Sequence, residues 1–355
     1  MIDSFGRTID YLRVSITDRC NFRCVYCMPE EGFPATPKDE HLTADEFVRL
    51  IRIAASLGTS KVRLTGGEPL VRKDLGEMVS QIAEIPGIID LSCTTNGFLL
   101  AEQAAKLRQQ GLNRINVSLD TLHEGRFQAI ARRGALANVL QGIDAALDAG
   151  LQPLKINCVA MRGANLDEAA DFAAMTVDRP VHVRFIELMP IRWNLDENGV
   201  HEPFQGHSGQ GLLTLKQSSG SMLSDLQMQR MFVSAADVRA EVESRFGELE
   251  PAEVPTNGPA RTYRVPGAMG TVGFISQITS DFCSRCNRLR LTHDGFLRPC
   301  LMSDGELNLR EPMRQGATDD DLRELFLHVV RHKPERHYLA EGQKVTGRGM
   351  SQIGG

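Results

Sequence analysis

Over the first 190 residues, six short β-rich runs alternate with five helical segments, and this rhythm restricts the chain to α/β folds with a parallel sheet. The runs are Tyr11–Thr17, Lys61–Thr65, Ile88–Thr95, Arg114–Asp120, Leu154–Met161 and His182–Met189. Thr43 followed by Glu46 reads as a capping box. Behind it, Phe47, Leu50, Ile51 and Ala54 recur at helical spacing. Gly58, Gly111 and Gly150 sit where helix ends favour a residue that tolerates positive φ.

The strands carry a second periodicity. Arg13 and Ser15, Arg63 and Thr65, Asn116, Ser118 and Asp120, and Lys155 and Asn157 all occupy one phase of a period-2 alternation whose other phase is apolar. Open parallel sheets bury both faces in apolar contacts. A polar face repeated from strand to strand points instead to an enclosed polar cavity. The expected fold is an incomplete (β/α)6 barrel of the TIM type, with its ligand site at the C-terminal strand ends. A doubly wound sheet is the alternative.

After Met189 the rhythm stops. The expected organisation is a barrel over 1–190, an extended loop or insertion over 191–233, and a C-terminal region over 234–355. Within the second part, Asn194–Ser221 reads as a Gly- and Ser-rich surface loop. In the third, Ser234 with Asp237 opens one helix and Thr318 caps another that reaches about His332. Pro251–Gly273 reads as loop with short strands, and a Gly-rich tail closes the chain.

Forty Lys and Arg stand against 45 Asp and Glu, a net charge of −5. That balance disfavours a nucleic-acid binder but leaves room for a local anion pocket. No apolar run is long enough for a membrane helix. The N-terminus, with Asp3, Arg7, Asp10 and Arg13, has no signal-peptide core, so a cytoplasmic protein is expected. Thiols stay reduced there, so the eight cysteines point to metal or redox chemistry.

Six of the eight form two triads. Cys20, Cys24 and Cys27 follow the first strand within eight residues. Such spacing lets three thiolates converge on one iron–sulfur cluster and leaves one iron for another ligand. Zinc completed by His or Asp is the alternative. Cys283, Cys286 and Cys300 make the second triad. Zinc with these cysteines and His293, or a second cluster with an open iron, both fit the spacing. Cys93 and Cys158 lie in strand patterns and read as packing residues. Arg13, Arg63 and Lys155 share the polar phase, where they could hold a triphosphate or pair internally with Asp18, Asp120 or Glu187. Arg288 and Arg290 share one face near the second triad.

The segment Cys20-Asn21-Phe22-Arg23-Cys24-Val25-Tyr26-Cys27 resembles the defining motif of the radical S-adenosylmethionine enzymes. Within that family the chain is similar, nearly end to end, to the branch that cyclises GTP at the start of molybdenum cofactor biosynthesis. Matching stretches include Arg63–Pro69, Thr94–Gly97, Asn116–Asp120, Arg184–Glu187, Phe282–Arg288 and Gly354-Gly355. The resemblance implies a lyase with two [4Fe–4S] clusters, one on each triad, and S-adenosylmethionine as cofactor. It assigns Tyr26, Gly67, Ser118 and Met189 to S-adenosylmethionine. It assigns Arg13, Arg63, Thr94, Lys155, Arg288, Leu289 and Arg290 to GTP, and an assisting catalytic role to Arg348 in the tail. It implies a small reducing protein as electron donor and cyclic pyranopterin monophosphate synthase as the downstream partner, for a cytoplasmic monomer or homodimer. The Asn194–Met231 segment is longer than the pattern expected of that branch. A related enzyme with an auxiliary cluster and another substrate, such as a peptide, is the alternative; a metal-binding module without activity that contacts RNA is disfavoured by the acidic charge.

Overall fold

A computed structural model describes residues 1–34, 36–189, 191, 222–254, 258–280, 282–337 and 348–354. The expected loop Asn194–Ser221 and the terminal Gly355 lie outside these residues.

The six expected strands form as β1 (Tyr11–Ser15), β2 (Lys61–Thr65), β3 (Asp90–Thr95), β4 (Arg114–Ser118), β5 (Leu154–Ala160) and β6 (Val181–Glu187). They lie side by side in chain order, all parallel. A doubly wound sheet reverses its strand order at a switch point. No reversal occurs across these six, so the barrel reading holds. The crossovers are α1 (Ala44–Ser56), α2 (Leu75–Ala83), α3 (Leu100–Gln109), α4 (Glu124–Ala131), α5 (Leu136–Asp148) and α6 (Ala169–Ala174). One crossover differs from expectation: the chain between β4 and β5 breaks into two helices at Arg132, which takes a left-handed φ of 61°.

Local signals explain the helix ends. The Thr43 hydroxyl accepts the Glu46 amide at 3.2 Å, and the Glu46 carboxylate accepts the Thr43 amide at 2.8 Å. Phe47, Leu50, Ile51 and Ala54 are buried on the inner face of α1. In the strands, Leu12, Val14, Val62, Leu64, Ile115, Val117, Ile156 and Val183 form the apolar layer between sheet and helices, joined by Cys93 and Cys158.

The C-terminal region extends the same sheet at both edges. Its strands are β7 (Glu250–Pro251), β8 (Arg261–Arg264), β9 (Thr271–Ile275), β10 (Arg288–Leu291), β11 (Phe296–Arg298) and β12 (Leu307–Asn308). β9 pairs parallel with β6, and β10 pairs parallel with β1. Eight parallel strands therefore run contiguously, with antiparallel pairs continuing beyond each side. The helices of this region are α7 (Asp225–Met231), α8 (Ala235–Phe246), α9 (Arg310–Arg314) and α10 (Asp319–Arg331). α7 falls inside the stretch expected to be loop; Ser224 and Gln227 give it a capping box. No described helix is long and apolar enough to cross a membrane.

Glu187, at the end of β6, fastens the region to the barrel. It is buried and accepts the amides of Ala235, Ile278 and Thr279 at 3.0, 2.8 and 3.0 Å. Below it, Phe185 of β6 stacks on Phe274 of β9, with ring centroids 5.9 Å apart, and meets Phe172 of α6 edge-on. Phe172 is fully buried. The Phe172→Ala change is expected to cost about 3–5 kcal/mol. It should appear in urea titration as a lower midpoint with unchanged slope; a loss below about 1 kcal/mol would show that this aromatic joint does not hold β6 to β9.

Candidate active site

The loop after β1 carries the first triad and is held on several sides. The Arg23 and Val25 amides donate to the Ala131 and Ile130 carbonyls at 3.0 Å each. The Cys27 and Met28 amides both bond the Cys24 carbonyl, which curls the chain between thiols. Phe22 anchors the loop by edge-on contacts with Phe98 and Phe127. Gly67 approaches the same loop so closely that a Cβ there would stand 2.3 Å from the Arg19 carbonyl oxygen. The Gly67 amide donates to Thr17 and the Glu68 amide to Arg19, each at 2.7 Å.

Cys20, Cys24 and Cys27 line one cavity of about 180 Å³ together with Tyr26, Gly67, Thr94, Ser118 and Met189. All four residues assigned to S-adenosylmethionine by resemblance are thus brought to the triad. Tyr26 donates to the Asp120 carboxylate at 2.7 Å. Glu68 accepts the Thr95 hydroxyl and the Leu70 and Asn96 amides. Burial pushes the carboxyl of Glu68 up to about 7 and that of Asp120 up to about 6. Burial also pushes the Cys20 thiol up to about 12 and the Cys27 thiol up to about 11, and raises Cys24 well above its ordinary value. Buried thiols this reluctant to ionise ligate when a metal cation offsets the charge. The donor set fits a cluster.

Cys283, Cys286 and Cys300 line a second, smaller cavity with Arg288, Arg290 and His337. Arg7 and Lys333 hold the chain around it, and neither stood out in the sequence. Arg7 donates to the carbonyls of Cys283, Pro334 and Glu335 at 2.8, 2.6 and 2.6 Å. Buried Lys333 donates to the Arg288 carbonyl at 3.0 Å and to the Pro299 carbonyl, beside Cys300. Burial raises the Cys286 thiol, but Lys333 and Arg288 outweigh it and leave the thiol below its ordinary value. His293 is not among these residues. It lies with Asp18 and His41, which removes it from the expected zinc set.

The inner phase of the strands is cationic. Sheet register places Arg290 beside Arg13, Arg13 beside Arg63, Arg63 beside Ser92 and Ser92 beside Arg114. On the other side, Asn116 faces Lys155 and Lys155 faces His182. Burial, with Arg184, Arg114 and Arg63 nearby, pulls Lys155 down to about 6. Burial with Lys155 and Arg184 pulls His182 down to about 4. A third cavity, of about 250 Å³, opens at Lys155, His182 and Arg184. The carboxylates considered as internal partners are engaged elsewhere: Asp18 with the two histidines, Asp120 with Tyr26, Glu187 with backbone amides. Arg114, His182 and Arg184 are additions to the expected cation set. The signal was present, since His182 and Arg184 continue the period-2 alternation in β6.

Two assignments change. Leu289 points opposite to Arg288 and Arg290 and packs in the core at 1% exposure, so its side chain does not face the cavity. Arg348 is held by Asp294 at 2.8 and 3.0 Å and by Glu306 at 2.9 Å. Both carboxylates claim its guanidinium, which anchors the tail. Beyond it, Met350 and Ser351 line the first-triad cavity, and Arg290 donates to the Ile353 and Gly354 carbonyls. A Cβ on Gly354 would stand 2.6 Å from the Thr65 side chain.

Residues 14–176 match the model of the radical SAM superfamily, and residues 220–339 match that of Molybdenum Cofactor Synthesis C. The chain is 46% identical over 356 residues to the GTP 3′,8-cyclase of Pelotomaculum thermopropionicum, with all of both chains covered. It is 47% identical to that of Heliobacterium modesticaldum and 45% to that of Moorella thermoacetica, again with full coverage of both. The segment expected to be overlong therefore adds no length that these relatives lack. Among solved structures, SuiB of Streptococcus suis bound to S-adenosylmethionine superposes with a TM-score of 0.55 at 14% identity, covering 88% of this chain and 65% of that one.

If Arg348 is an anchor, Arg348→Ala should speed amide exchange in residues 349–354 at least tenfold, a loss of about 1.4 kcal/mol. Exchange unchanged from the parent chain would return Arg348 to a direct part in the chemistry.

Proposed function

The chain belongs to the GTP 3′,8-cyclase family of radical S-adenosylmethionine enzymes, and we propose which of its residues carry each part of that reaction. The enzyme cyclises GTP to (8S)-3′,8-cyclo-7,8-dihydroguanosine 5′-triphosphate, the first step of molybdenum cofactor biosynthesis. A [4Fe–4S] cluster and S-adenosylmethionine are its cofactors. When bound, they supply one-electron cleavage of the sulfonium and a 5′-deoxyadenosyl radical that takes a hydrogen atom from the ribose C3′.

One observation carries the division of labour: a single barrel encloses both a three-thiol cavity and a band of buried cations. Cys20, Cys24 and Cys27 hold the radical-generating cluster. Gly67, Ser118, Met189 and Tyr26, the last oriented by Asp120, would bind S-adenosylmethionine. Arg13, Arg63, Thr94 and Lys155 bind GTP, joined by Arg288 and Arg290 from β10. A triphosphate would stabilise the protonated form of Lys155, so binding draws a proton onto its Nζ near neutral pH. Leu289 contributes through its backbone alone. Cys283, Cys286 and Cys300 would hold a second [4Fe–4S] cluster, which would supply a further iron for binding GTP. The barrel proper is 1–190, and 234–355 is the cluster-binding region. A small reducing protein supplies electrons in the cytoplasm, and cyclic pyranopterin monophosphate synthase takes the product.

The direct test is anaerobic incubation with 3′-deuterated GTP, S-adenosylmethionine and a reductant, read by mass spectrometry. Deuterium should appear in 5′-deoxyadenosine, and the cyclised triphosphate should accumulate; unlabelled 5′-deoxyadenosine would overturn the C3′ assignment. For the second triad, reconstituted chain should hold about eight irons, and the Cys283→Ala, Cys286→Ala, Cys300→Ala triple variant about four. GTP conversion should vanish in that variant. Full turnover there would remove the second cluster from the reaction.

A further inference from the structure

Outside both triads, three loops bring Asp18, His41 and His293 together. Asp18 follows β1, His41 precedes the cap of α1, and His293 sits in the turn between β10 and β11. Their side chains are 8%, 20% and 1% exposed. One Asp18 oxygen lies 3.8 Å from His41 Nε2, and the other lies 3.6 Å from His293 Nε2. All three donor atoms fall within 4.8 Å of one another.

These spacings are informative. Both exceed the about 2.7–3.2 Å of a direct hydrogen bond. Each is near the edge of a tetrahedron with about 2.1 Å metal–ligand bonds, roughly 3.4 Å long, and the two run to the two oxygens of Asp18. Both rings thus place Nε2 beside one carboxylate at more than hydrogen-bond distance. Thr36 adds oxygen at the same place: its hydroxyl is 3.1 Å from His293 Nε2, and its carbonyl is 3.3 Å from His41 Nε2. Behind Nε2, His293 Nδ1 is buried without a hydrogen-bond partner, and an Asp294 oxygen stands 4.0 Å away.

We propose that Asp18, His41 and His293 bind one divalent transition-metal ion of the zinc class, with the Thr36 hydroxyl or a water at the fourth corner. Two imidazoles and one carboxylate suit zinc, whereas magnesium and calcium favour sets made of oxygen alone. The ion would tie the first-triad loop to the β10–β11 turn, where Asp294 holds Arg348 and with it the tail. The site is independent of the cysteine triads and of the cyclase assignment.

The experiment uses chain reconstituted anaerobically with iron and sulfide, so that iron fills the cysteines, then equilibrated with zinc against a competing chelator. One zinc per chain is expected. Zinc-edge X-ray absorption should show nitrogen and oxygen at about 2.0–2.1 Å and no sulfur at about 2.3 Å. His41→Ala, at the most exposed ligand, should weaken zinc binding by more than about 100-fold, beyond the cost of losing a supporting contact alone. Iron content and the melting temperature without zinc should stay at parent values, and zinc should raise the melting temperature of the parent only. His293→Gln should lose zinc likewise. Sulfur in the zinc shell, equal affinity in His41→Ala, or no stoichiometric zinc would each overturn the proposal.

Discussion

Concentration of like charge inside a closed polar space is the constraint on which this structure turns. Arg13, Arg63, Arg114, Lys155, His182, Arg184 and Arg290 occupy one phase on six of seven neighbouring strands, with Ser92 in that phase on the seventh. Each loses hydration on burial, and each lies near others of its sign. The strain shows in the titration of Lys155 and His182, both drawn far below their ordinary values by burial and by neighbouring cations. Side-chain amides relieve part of it. Arg184 donates to Asn157 at 2.9 Å and to Asn116 at 3.1 Å. The opposite phase bears the cost: the apolar layer under the helices is continuous from Ile9 to Val330. A polyanion in the cavity would offset the remaining repulsion.

That cavity is completed from outside the six-strand unit. β10 adds to β1 in register, which sets Arg290 beside Arg13 and places the Cys283–Cys286 turn directly before the strand. The position of the second triad is thus fixed by backbone pairing, and Arg7 and Lys333 clamp the chain on either side of it. β9 adds to β6 at the other edge, with Glu187 gathering three amides at the junction. The tail then runs from its Arg348 anchor past the first triad to the Arg290 guanidinium. Two distant halves of the chain share one site because they share one sheet.

Features that depend on neighbours in sequence were legible. The helix starts at Thr43, Ser234 and Thr318 formed as read, because donor and acceptor are three residues apart, and at Thr318 the cap proves to be a full box with Asp321. The inward phase of β1, β2, β4 and β5 followed from alternation alone. Features that depend on tertiary pairing were not legible. His293 looked like a ligand for the nearby cysteines, yet the β10–β11 turn carries it to Asp18, 275 positions earlier. Arg348 looked available for chemistry, but its acidic partners lie more than 40 residues away. The break at Arg132 gave no warning because arginine is not a residue expected at positive φ.

Charge is also partitioned between inside and outside. The chain carries a net −5, although its interior is cationic. Many exposed basic groups are matched on the surface: Arg49 with Asp319, Arg126 with Asp167, Arg245 with Asp171, Arg314 with Glu46. Each such pair adds little stability in water, but together they cancel the outward field that would attract long polyanions. Inside, Arg114 pairs with Asp90, and Lys155, His182 and Arg184 line a cavity of about 250 Å³. A small anion that enters the barrel would meet Arg and Lys in low dielectric, where each contact is strongest.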